Sequence, residues 1–377
     1  MRCARQSRSS SLSRVGSGTR PPSCRRGPGG PQRLPGRLCR SDWVRRRDGA
    51  GAMSGLLISR MFLERFGERL REVEAEPGRP VEHVVIDVES GMPLPPAELD
   101  RVEIAFFSND ARYRRQPFID ALERSQNLKW LQLFSVGVDQ KAYPSLRSRG
   151  VTITNAPGAN AEPIAWTAMG AILWLGRPFR HWAGAQGRRA WDPIHYDDAP
   201  RDLAGQTMVI LGIGQIGGRV ARHARYLGMR VVGIHRHPTP DDPVDESYPP
   251  SALPSILPSA NWLVVACPLT DETRGLVDAD LLAALPRGAH LLNLARGAVV
   301  VEPALIEALR TGHLGGAYVD VASQEPLPPE SPLWDAPNLI LSPHNAAISA
   351  SYPAASAECF FANFRRWRRG EPLEGLA

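Results

Sequence analysis

Three side chains in the second half of the 377-residue chain have the types needed to act together on one carbonyl group. Arg296, Glu325 and His344 each lie at or just beyond the end of a strand-like apolar run. Ligands of open parallel sheets bind outside the carboxyl ends of the strands, so the three side chains are expected to converge there. A guanidinium can bind a carboxylate, and an imidazole paired with a carboxylate can protonate a developing alkoxide. Singly, each residue could be structural, as a turn histidine, a helix-end cation or a helix cap, but the set predicts reduction of a 2-oxo acid.

A glycine-rich loop upstream of these residues predicts a dinucleotide cofactor. Residues 212–217 read GIGQIG, follow the apolar run 208–211 directly and open a helical stretch from Arg219. Glycines in this pattern permit a tight turn and a close approach of the backbone to a pyrophosphate at the helix N-terminus. Because strand, loop and helix occur in the expected order, cofactor binding is a stronger interpretation than an ordinary turn. The loop residues expected to bind are Gly212, Gly214, Gln215, Ile216 and Gly217.

The end of the next strand indicates which nicotinamide cofactor is used. NAD-specific domains usually place an acid about 20 residues after the loop, where it accepts hydrogen bonds from the ribose 2′-hydroxyl. This chain has His235, Arg236 and His237 instead. A guanidinium can bind a 2′-phosphate that a carboxylate would repel, so His235 and Arg236 favour NADP(H), with NAD(H) as the second possibility. The alternative interpretation is that Arg236 simply points into solvent.

Alternating strand and helix patterns surround these motifs and predict an α/β fold. One series of apolar runs precedes residue 150 and another begins at 208, and each indicates a parallel sheet with helices on both faces. The predicted fold is therefore two doubly wound parallel-sheet domains, the second with the six strands of a complete dinucleotide-binding domain. Predicted strands cover 55–59, 84–86, 104–107, 128–134, 208–211, 231–234, 262–266, 290–293, 316–319 and 339–341, and predicted helices include 118–124 and 162–175.

Charge divides the chain into a basic leader and a mildly acidic body. Residues 1–52 contain 13 arginines, no lysine and two acids, a net charge of +11, whereas the remainder carries −5. The leader is also rich in serine, glycine and proline, which predicts disorder. We interpret it first as sequence upstream of a start at Met53, second as an organelle transit peptide and last as a nucleic-acid or membrane tether.

Cysteine spacing and hydropathy argue against several other protein classes. The five cysteines show neither a disulfide framework nor the spacing of a zinc site, so no metal is expected. The longest apolar stretch, 164–176, is shorter than the roughly 20 residues of a membrane helix. An acidic body does not indicate nucleic-acid binding. The chain is therefore expected to be a soluble, cytoplasmic protein whose partner is a small molecule.

In combination, the motifs resemble those of the D-isomer-specific 2-hydroxyacid dehydrogenase family, which includes glyoxylate/hydroxypyruvate reductases. The resemblance covers residues 53–377 and includes the glycine loop, PLTDET at 268–273, Arg296–Gly297, DVASQEP at 320–326, SPLW at 331–334 and Pro343–His344, in the family's order. It implies an NAD(P)-dependent oxidoreductase that acts on a 2-oxo or D-2-hydroxy acid and forms a homodimer. It also implies a Rossmann NAD(P)-binding domain at 158–345, inserted in a flavodoxin-like substrate-binding domain at 53–157. Residues 346–377, with a helix at about 347–369, would complete the substrate-binding domain.

The resemblance further implies roles for particular residues. Arg296 would anchor the carboxylate and carbonyl of the substrate, His344 would donate the proton, and Glu325 would support the imidazole. The backbone N–H groups of Val136 and Gly137 would also hold the carboxylate. The remaining cofactor contacts would come from Pro268, Thr273, Ala295 and Asp320.

One departure from the family pattern and two alternative functions stay open. Ile164, Ala165 and Trp166 stand where the family has Val-Ala-Glu, with Glu162 displaced upstream, so a different packing or substrate contact is expected there. Formate dehydrogenases share the architecture but have glutamine in place of Glu325, which argues against them. A short phosphoglycerate dehydrogenase, or a non-catalytic nucleotide-sensing corepressor-like protein of the same fold, remains an alternative.

Overall fold

The computed structural model describes residues 53–112, 114–135 and 142–377, in which strands and helices alternate. The strands are β1 Ser54–Ser59, β2 Val81–Ile86, β3 Val102–Phe107, β4 Trp130–Leu133, β5 Thr152–Thr154, β6 Thr207–Leu211, β7 Arg230–Ile234, β8 Glu246–Tyr248, β9 Trp262–Val265, β10 Ala289–Asn293, β11 Leu314–Val319 and β12 Leu339–Leu341. The α-helices are α1 Arg60–Ala75, α2 Pro96–Leu99, α3 Gln116–Arg124, α4 Ala142–Ser148, α5 Ala161–Gly176, α6 Phe179–Gly187, α7 Gln215–Tyr226, α8 Leu253–Ile256, α9 Ala279–Ala283, α10 Glu302–Arg310 and α11 Tyr352–Arg369. Short 3₁₀ turns lie at Asn109–Arg112, Tyr196–Asp198, Pro250–Ala252, Leu257–Ser259 and Gly297–Val299. The leader 1–52, for which disorder is predicted, lies outside the described residues.

The first five strands form one parallel sheet in the order β2-β1-β3-β4-β5. Leu57 of β1 pairs with Val84 of β2 on one side and with Ala105 of β3 on the other. Strands β1 and β4 are buried along their whole length, as expected when helices cover both faces of a parallel sheet. This strand order is that of flavodoxin-like folds, which confirms the fold predicted for this part of the chain.

The second sheet has the parallel order β12-β11-β10-β9-β6-β7-β8. The chain enters at β6 in the middle, builds outward to β8, and then returns to place β9 on the opposite side of β6. Nucleotides bind at such a reversal of strand order, outside the carboxyl ends of the central strands. The six predicted strands are all present. Strand β8 was missed in the sequence because its residues, Glu246, Ser247 and Tyr248, form no apolar run.

The last helix, α11, packs on the first sheet. The ring of Phe360 stacks on Phe106 of β3 with 4.5 Å between centroids, and its centroid lies 5.9 Å from that of Phe62 in α1. The buried residues of α11 belong to the same apolar core as β1–β5. The helix begins at Tyr352 rather than at the predicted position 347, because Pro353 lies in its first turn, where a missing N–H costs no hydrogen bond.

The described residues include neither a membrane-spanning helix nor a metal-ligand cluster. No helix in this part of the chain combines the length and the apolarity needed to cross a bilayer. The same residues contain no group of three histidine, cysteine or acidic side chains that could hold a metal ion.

Candidate active site

The glycine loop lies between the end of β6 and the start of α7, at the reversal of strand order. Gly212 has φ of +96°, and a Cβ there would lie 2.8 Å from the backbone nitrogen of Cys267. A Cβ at Gly217 would lie 2.0 Å from the carbonyl oxygen of Gly212. A Cβ at Gly214, the N-cap of α7, would meet no atom within 4 Å. The outer glycines are therefore needed to fold the loop, whereas Gly214 leaves open space before a helix N-terminus, into which a pyrophosphate fits.

Alanine substitutions should separate folding from nucleotide binding in this loop. G217A is expected to lower the free energy of unfolding by roughly 1–3 kcal/mol, because a backbone oxygen blocks the new methyl group. G214A should leave stability unchanged and weaken dinucleotide binding about tenfold, because its methyl group occupies the space for the phosphate. Thermal unfolding and fluorescence titration with NADH and with NADPH measure the two effects. Equal destabilisation by both substitutions would contradict this division of roles.

The start of α7 also connects the loop to α5. Gln215 is the first residue of the helix, and its side-chain Oε1 accepts a hydrogen bond of 2.8 Å from Arg219, while Ile216 is half-buried beside it. Arg219 forms an ion pair of 3.1 Å with Glu162 of α5, which also contacts His223 at 2.8 Å. Glu162, which stands upstream of the family position, therefore joins α5 to α7.

Arg296 is presented by a tight turn at the end of β10. Asn293, the buried last residue of β10, accepts a hydrogen bond from the Ala295 N–H and donates one to the carbonyl of Arg296, both of 3.1 Å. Nη1 of Arg296 donates to the carbonyl oxygen of Ala295 at 2.8 Å. A Cβ at Gly297 would lie 2.0 Å from the carbonyl carbon of Ala322, so the turn packs directly on the segment after β11. Glycine after Arg296 is thus required for this close approach.

His344 and Glu325 form a hydrogen-bonded pair with 2.8 Å between Nδ1 and Oε2. Their side chains are 41% and 40% exposed, so both are accessible to a ligand. Burial opposes the ionisation of Glu325, but the hydrogen bond from His344 and the charges of His344 and Arg296 hold its pKa below the usual value. Because a carboxylate only accepts hydrogen bonds, Nδ1 of His344 donates to Glu325 and Nε2 remains for a substrate.

The backbone of His344 is held from both sheets. His344 has φ of +52°, in the left-handed region that non-glycine residues seldom adopt. Its N–H donates to the carbonyl oxygen of Asp320 at 2.7 Å, and its own carbonyl oxygen accepts a hydrogen bond from Nη2 of Arg112. Arg112 ends the 3₁₀ turn that follows β3 in the first sheet. Sequence reasoning missed Arg112, because 232 residues separate it from His344 and no local motif links them.

The side chain of Asp320 fastens the same turn. Its buried Oδ1 accepts hydrogen bonds from the hydroxyl of Ser342 and from the N–H groups of Asn345 at 2.7 Å and Ala346 at 2.9 Å. Burial raises the pKa of Asp320, and these hydrogen bonds partly offset that rise. The family resemblance implies a nicotinamide contact for Asp320. The structure adds a second use of this residue, the positioning of the turn around His344.

The other predicted cofactor residues lie on loops of the second sheet. The hydroxyl of Thr273 donates to the carbonyl oxygen of exposed Pro268 at 2.7 Å and braces the loop that follows β9. His235 is the first residue after β7, and its neighbour Arg236 is exposed. The predicted substrate contacts Val136 and Gly137 lie outside the described residues.

Comparison with known proteins agrees with this geometry, which is that of a dinucleotide-dependent oxidoreductase. Residues 169–346 match the model of the D-isomer specific 2-hydroxyacid dehydrogenase NAD binding domain. A glyoxylate reductase of Korarchaeum cryptofilum is 32% identical over 259 residues, which are 67% of this chain and 76% of the relative. A D-isomer specific 2-hydroxyacid dehydrogenase family protein of Aeromonas salmonicida has a crystal structure that is 31% identical, with a TM-score of 0.73 over 87% of this chain and 99% of that one.

A further solved structure is that of the NADPH-dependent glyoxylate/hydroxypyruvate reductase of Sinorhizobium meliloti in complex with NADP and sulfate. It is 28% identical, with a TM-score of 0.67 over 86% of this chain and 98% of that one. The chain belongs to the D-isomer specific 2-hydroxyacid dehydrogenase family and is an oxidoreductase. The resemblance inferred from the motifs is confirmed.

Proposed function

We propose that the protein reduces a short 2-oxo acid, such as glyoxylate or hydroxypyruvate, to the D-2-hydroxy acid with NADPH. The observation that carries this proposal is the 2.8 Å hydrogen bond between His344 and Glu325, on loops next to the turn that presents Arg296. These loops follow β10, β11 and β12, which are adjacent strands. A proton donor, its charged partner and a carboxylate-binding cation are thus available at one sheet edge.

Each residue of the set has a defined task in the proposed reaction. Arg296 binds the substrate carboxylate through the fork of its guanidinium and orients the adjacent carbonyl. We assign the backbone N–H groups of Val136 and Gly137 to the same carboxylate. The protonated, positively charged ring of His344 is stabilised by Glu325; it protonates the carbonyl oxygen from Nε2 and is left as a neutral imidazole. When bound, the reduced nicotinamide supplies a hydride to C2.

We assign the two sheets to the two ligands. Residues 158–345 would bind the nucleotide, and residues 53–157 with 346–377 would form the substrate-binding domain. The final helix supports this grouping because it shares one apolar core with the first sheet. The residues assigned to the nucleotide are those of the glycine loop, Gly212, Gly214, Gln215, Ile216 and Gly217, together with His235, Arg236, Pro268, Thr273, Ala295 and Asp320.

NADPH is the proposed cofactor because exposed Arg236 follows β7, where this class of domain binds the adenosine ribose. R236D is expected to raise the KM for NADPH by roughly 10- to 100-fold, since a charge-assisted hydrogen bond is replaced by repulsion. The KM for NADH should change far less. R310D, an exposed substitution at the end of α10, serves as the charge-matched control. Equal changes for the two cofactors would remove the argument for the phosphate.

A spectrophotometric screen tests the proposed reaction. The full chain would be mixed with NADPH or NADH and a panel of 2-oxo acids, and oxidation of the nicotinamide followed by absorbance. Prompt NADPH consumption with glyoxylate or hydroxypyruvate is expected. Fastest turnover with 3-phosphohydroxypyruvate would favour a phosphoglycerate dehydrogenase. Nucleotide binding without turnover of any acid would favour a sensor and contradict the proposal.

We also propose that the protein is a homodimer and that its subunit contact covers an apolar surface on α5 and α6. Phe179 contacts Trp174 and Trp182 there, with ring centroids 5.7 Å and 5.5 Å apart, and all three side chains are exposed. Contiguous exposed aromatic side chains are typical of subunit contacts. Light scattering should give twice the mass of one chain for the wild type and a monomer for W182E. M61E, an exposed substitution on α1, should remain dimeric. A monomeric wild type would contradict the proposal.

A further inference from the structure

We infer that Asp242 is a positioning residue for the site of the cofactor's 2′-phosphate: it fixes the loop after β7 so that His235 and Arg236 are presented to that phosphate. The inference rests on the proposed NADPH preference and adds a residue outside the sequence motifs. Asp242 follows β7 by eight positions, and in the structure the loop folds back so that its carboxylate lies against His235.

The carboxylate of Asp242 is occupied by donors of its own loop and of β8. Its Oδ1 accepts the hydroxyl of Thr239 at 3.0 Å, and its Oδ2 accepts the Thr239 N–H at 2.9 Å. Oδ2 also accepts the hydroxyl of Ser247 at 2.6 Å and lies 2.7 Å from Nε2 of His235. Its side chain is only 12% exposed. A carboxylate engaged in this way has little capacity left for a ribose hydroxyl.

Charge and tautomer follow from these contacts. Burial opposes ionisation of Asp242, yet the hydrogen bonds from Ser247, Thr239 and His235 hold its pKa far below the usual value. Asp242 is therefore a carboxylate at neutral pH, and Nε2 of His235 must carry the hydrogen that it donates. The negative charge of Asp242 is thus engaged by donors of its own loop and of β8, and the exposed Arg236 beside His235 is the group proposed to meet the phosphate.

The backbone of His235 is fixed as well. Its N–H donates to the carbonyl oxygen of Tyr248 at 3.1 Å, at the end of β8. Hydrogen bonds thus hold both the ring and the main chain of His235. The backbone position of the next residue, Arg236, is fixed as a consequence. Strand β8 takes part through Ser247, whose hydroxyl bridges Asp242 and the imidazole at 2.6 Å and 2.9 Å.

Two roles for Asp242 predict opposite cofactor effects. If the carboxylate supports the phosphate site, its loss should weaken the binding of ligands that carry a 2′-phosphate and leave the binding of other ligands unchanged. If it instead acted as the acid that accepts the ribose 2′-hydroxyl in NAD-specific domains, its loss should weaken NADH and improve NADPH binding. A purely structural role would lower stability and weaken both kinds of ligand equally.

Calorimetric titration with 2′,5′-ADP and with ADP tests the inference on the full chain without requiring turnover. D242N should weaken the binding of 2′,5′-ADP about tenfold and change the binding of ADP by no more than about twofold. A tenfold change is the scale expected when one charge-assisted contact loses its support. S247A, a milder change to the same network, should act in the same direction. The ratio of KM values for NADPH and NADH should rise in parallel.

Asp245 provides the matched control. It braces the opposite end of β7, where its Oδ1 binds Nε of Arg225 at 2.9 Å and its Oδ2 accepts the Val231 N–H at 2.8 Å. D245N should therefore leave the preference between the two nucleotides unchanged. If the wild type itself does not prefer 2′,5′-ADP, the proposed NADPH preference fails. If it does and both D242N and S247A keep that preference, or D242N binds 2′,5′-ADP more tightly, the inference about Asp242 is overturned.

Discussion

Replacement of His344 by alanine should lower kcat by roughly 10²- to 10⁴-fold, the usual contribution of a positioned general acid. The physical reason is that Glu325 holds Nδ1 at 2.8 Å and thereby keeps Nε2 available to protonate the developing alkoxide. Without the imidazole, water would have to donate the proton. Stopped-flow and steady-state assays with NADPH and the best 2-oxo acid would measure the loss.

A second substitution separates lost chemistry from backbone strain at this position. His344 has a left-handed φ of +52°, which alanine tolerates poorly and asparagine tolerates better. H344N should therefore keep the turn intact and still show a loss of kcat within the same range. NADPH affinity, measured by fluorescence, should stay close to that of the wild type in both variants. A turnover within a few-fold of the wild type in H344N would contradict the role assigned to the imidazole.

Replacement of Arg296 by alanine is the other change with a large expected effect. Removing one partner of a desolvated charge pair costs about 2–5 kcal/mol, which corresponds to roughly a 30- to 5,000-fold loss in kcat/KM. The side chain of Asn293 holds the turn through the N–H of Ala295 and the carbonyl oxygen of Arg296, which are backbone groups, so the fold should survive the truncation. Steady-state kinetics over a range of 2-oxo acid concentrations would measure the change.

The lysine variant tests whether the shape of the guanidinium matters. R296K keeps the positive charge but loses the two-pronged hydrogen bond to a carboxylate, so it should recover only part of the lost kcat/KM. Full recovery by lysine would show that charge alone suffices. A kcat/KM in R296A close to that of the wild type would contradict the assignment of this residue to the substrate.

The parts of the molecule that local pattern governs could be predicted from sequence. An unbroken apolar run leading into a glycine turn indicated the central strand, and β6 occupies Thr207–Leu211 with every residue buried. Glu325 and His344 were singled out because each follows a predicted strand, and the structure brings their side chains into contact. Parallel strands that end at one edge explain why residues 19 positions apart meet.

The features that were missed depend on contacts between distant or folded-back segments. The residues of strand β8 are too polar to form an apolar run, and the hydroxyl of Ser247 within it donates a hydrogen bond to Asp242. Asp242 does not lie at the spacing from the glycine loop where such domains place an acid, so the sequence pattern does not single it out. The contact of Arg112 with His344 crosses from one sheet to the other, and no periodicity encodes it.

Transfer of deuterium from NADPH tests the central claim most directly. The full chain would be incubated with NADPH deuterated at the transferred position of the nicotinamide and with glyoxylate or hydroxypyruvate, and the product analysed by mass spectrometry, NMR and, for the product of hydroxypyruvate, chiral chromatography. The account predicts a 2-hydroxy acid with one deuterium on C2 and, where C2 is stereogenic, the D configuration. A product without deuterium on C2, or no product from any 2-oxo acid tested, would contradict it.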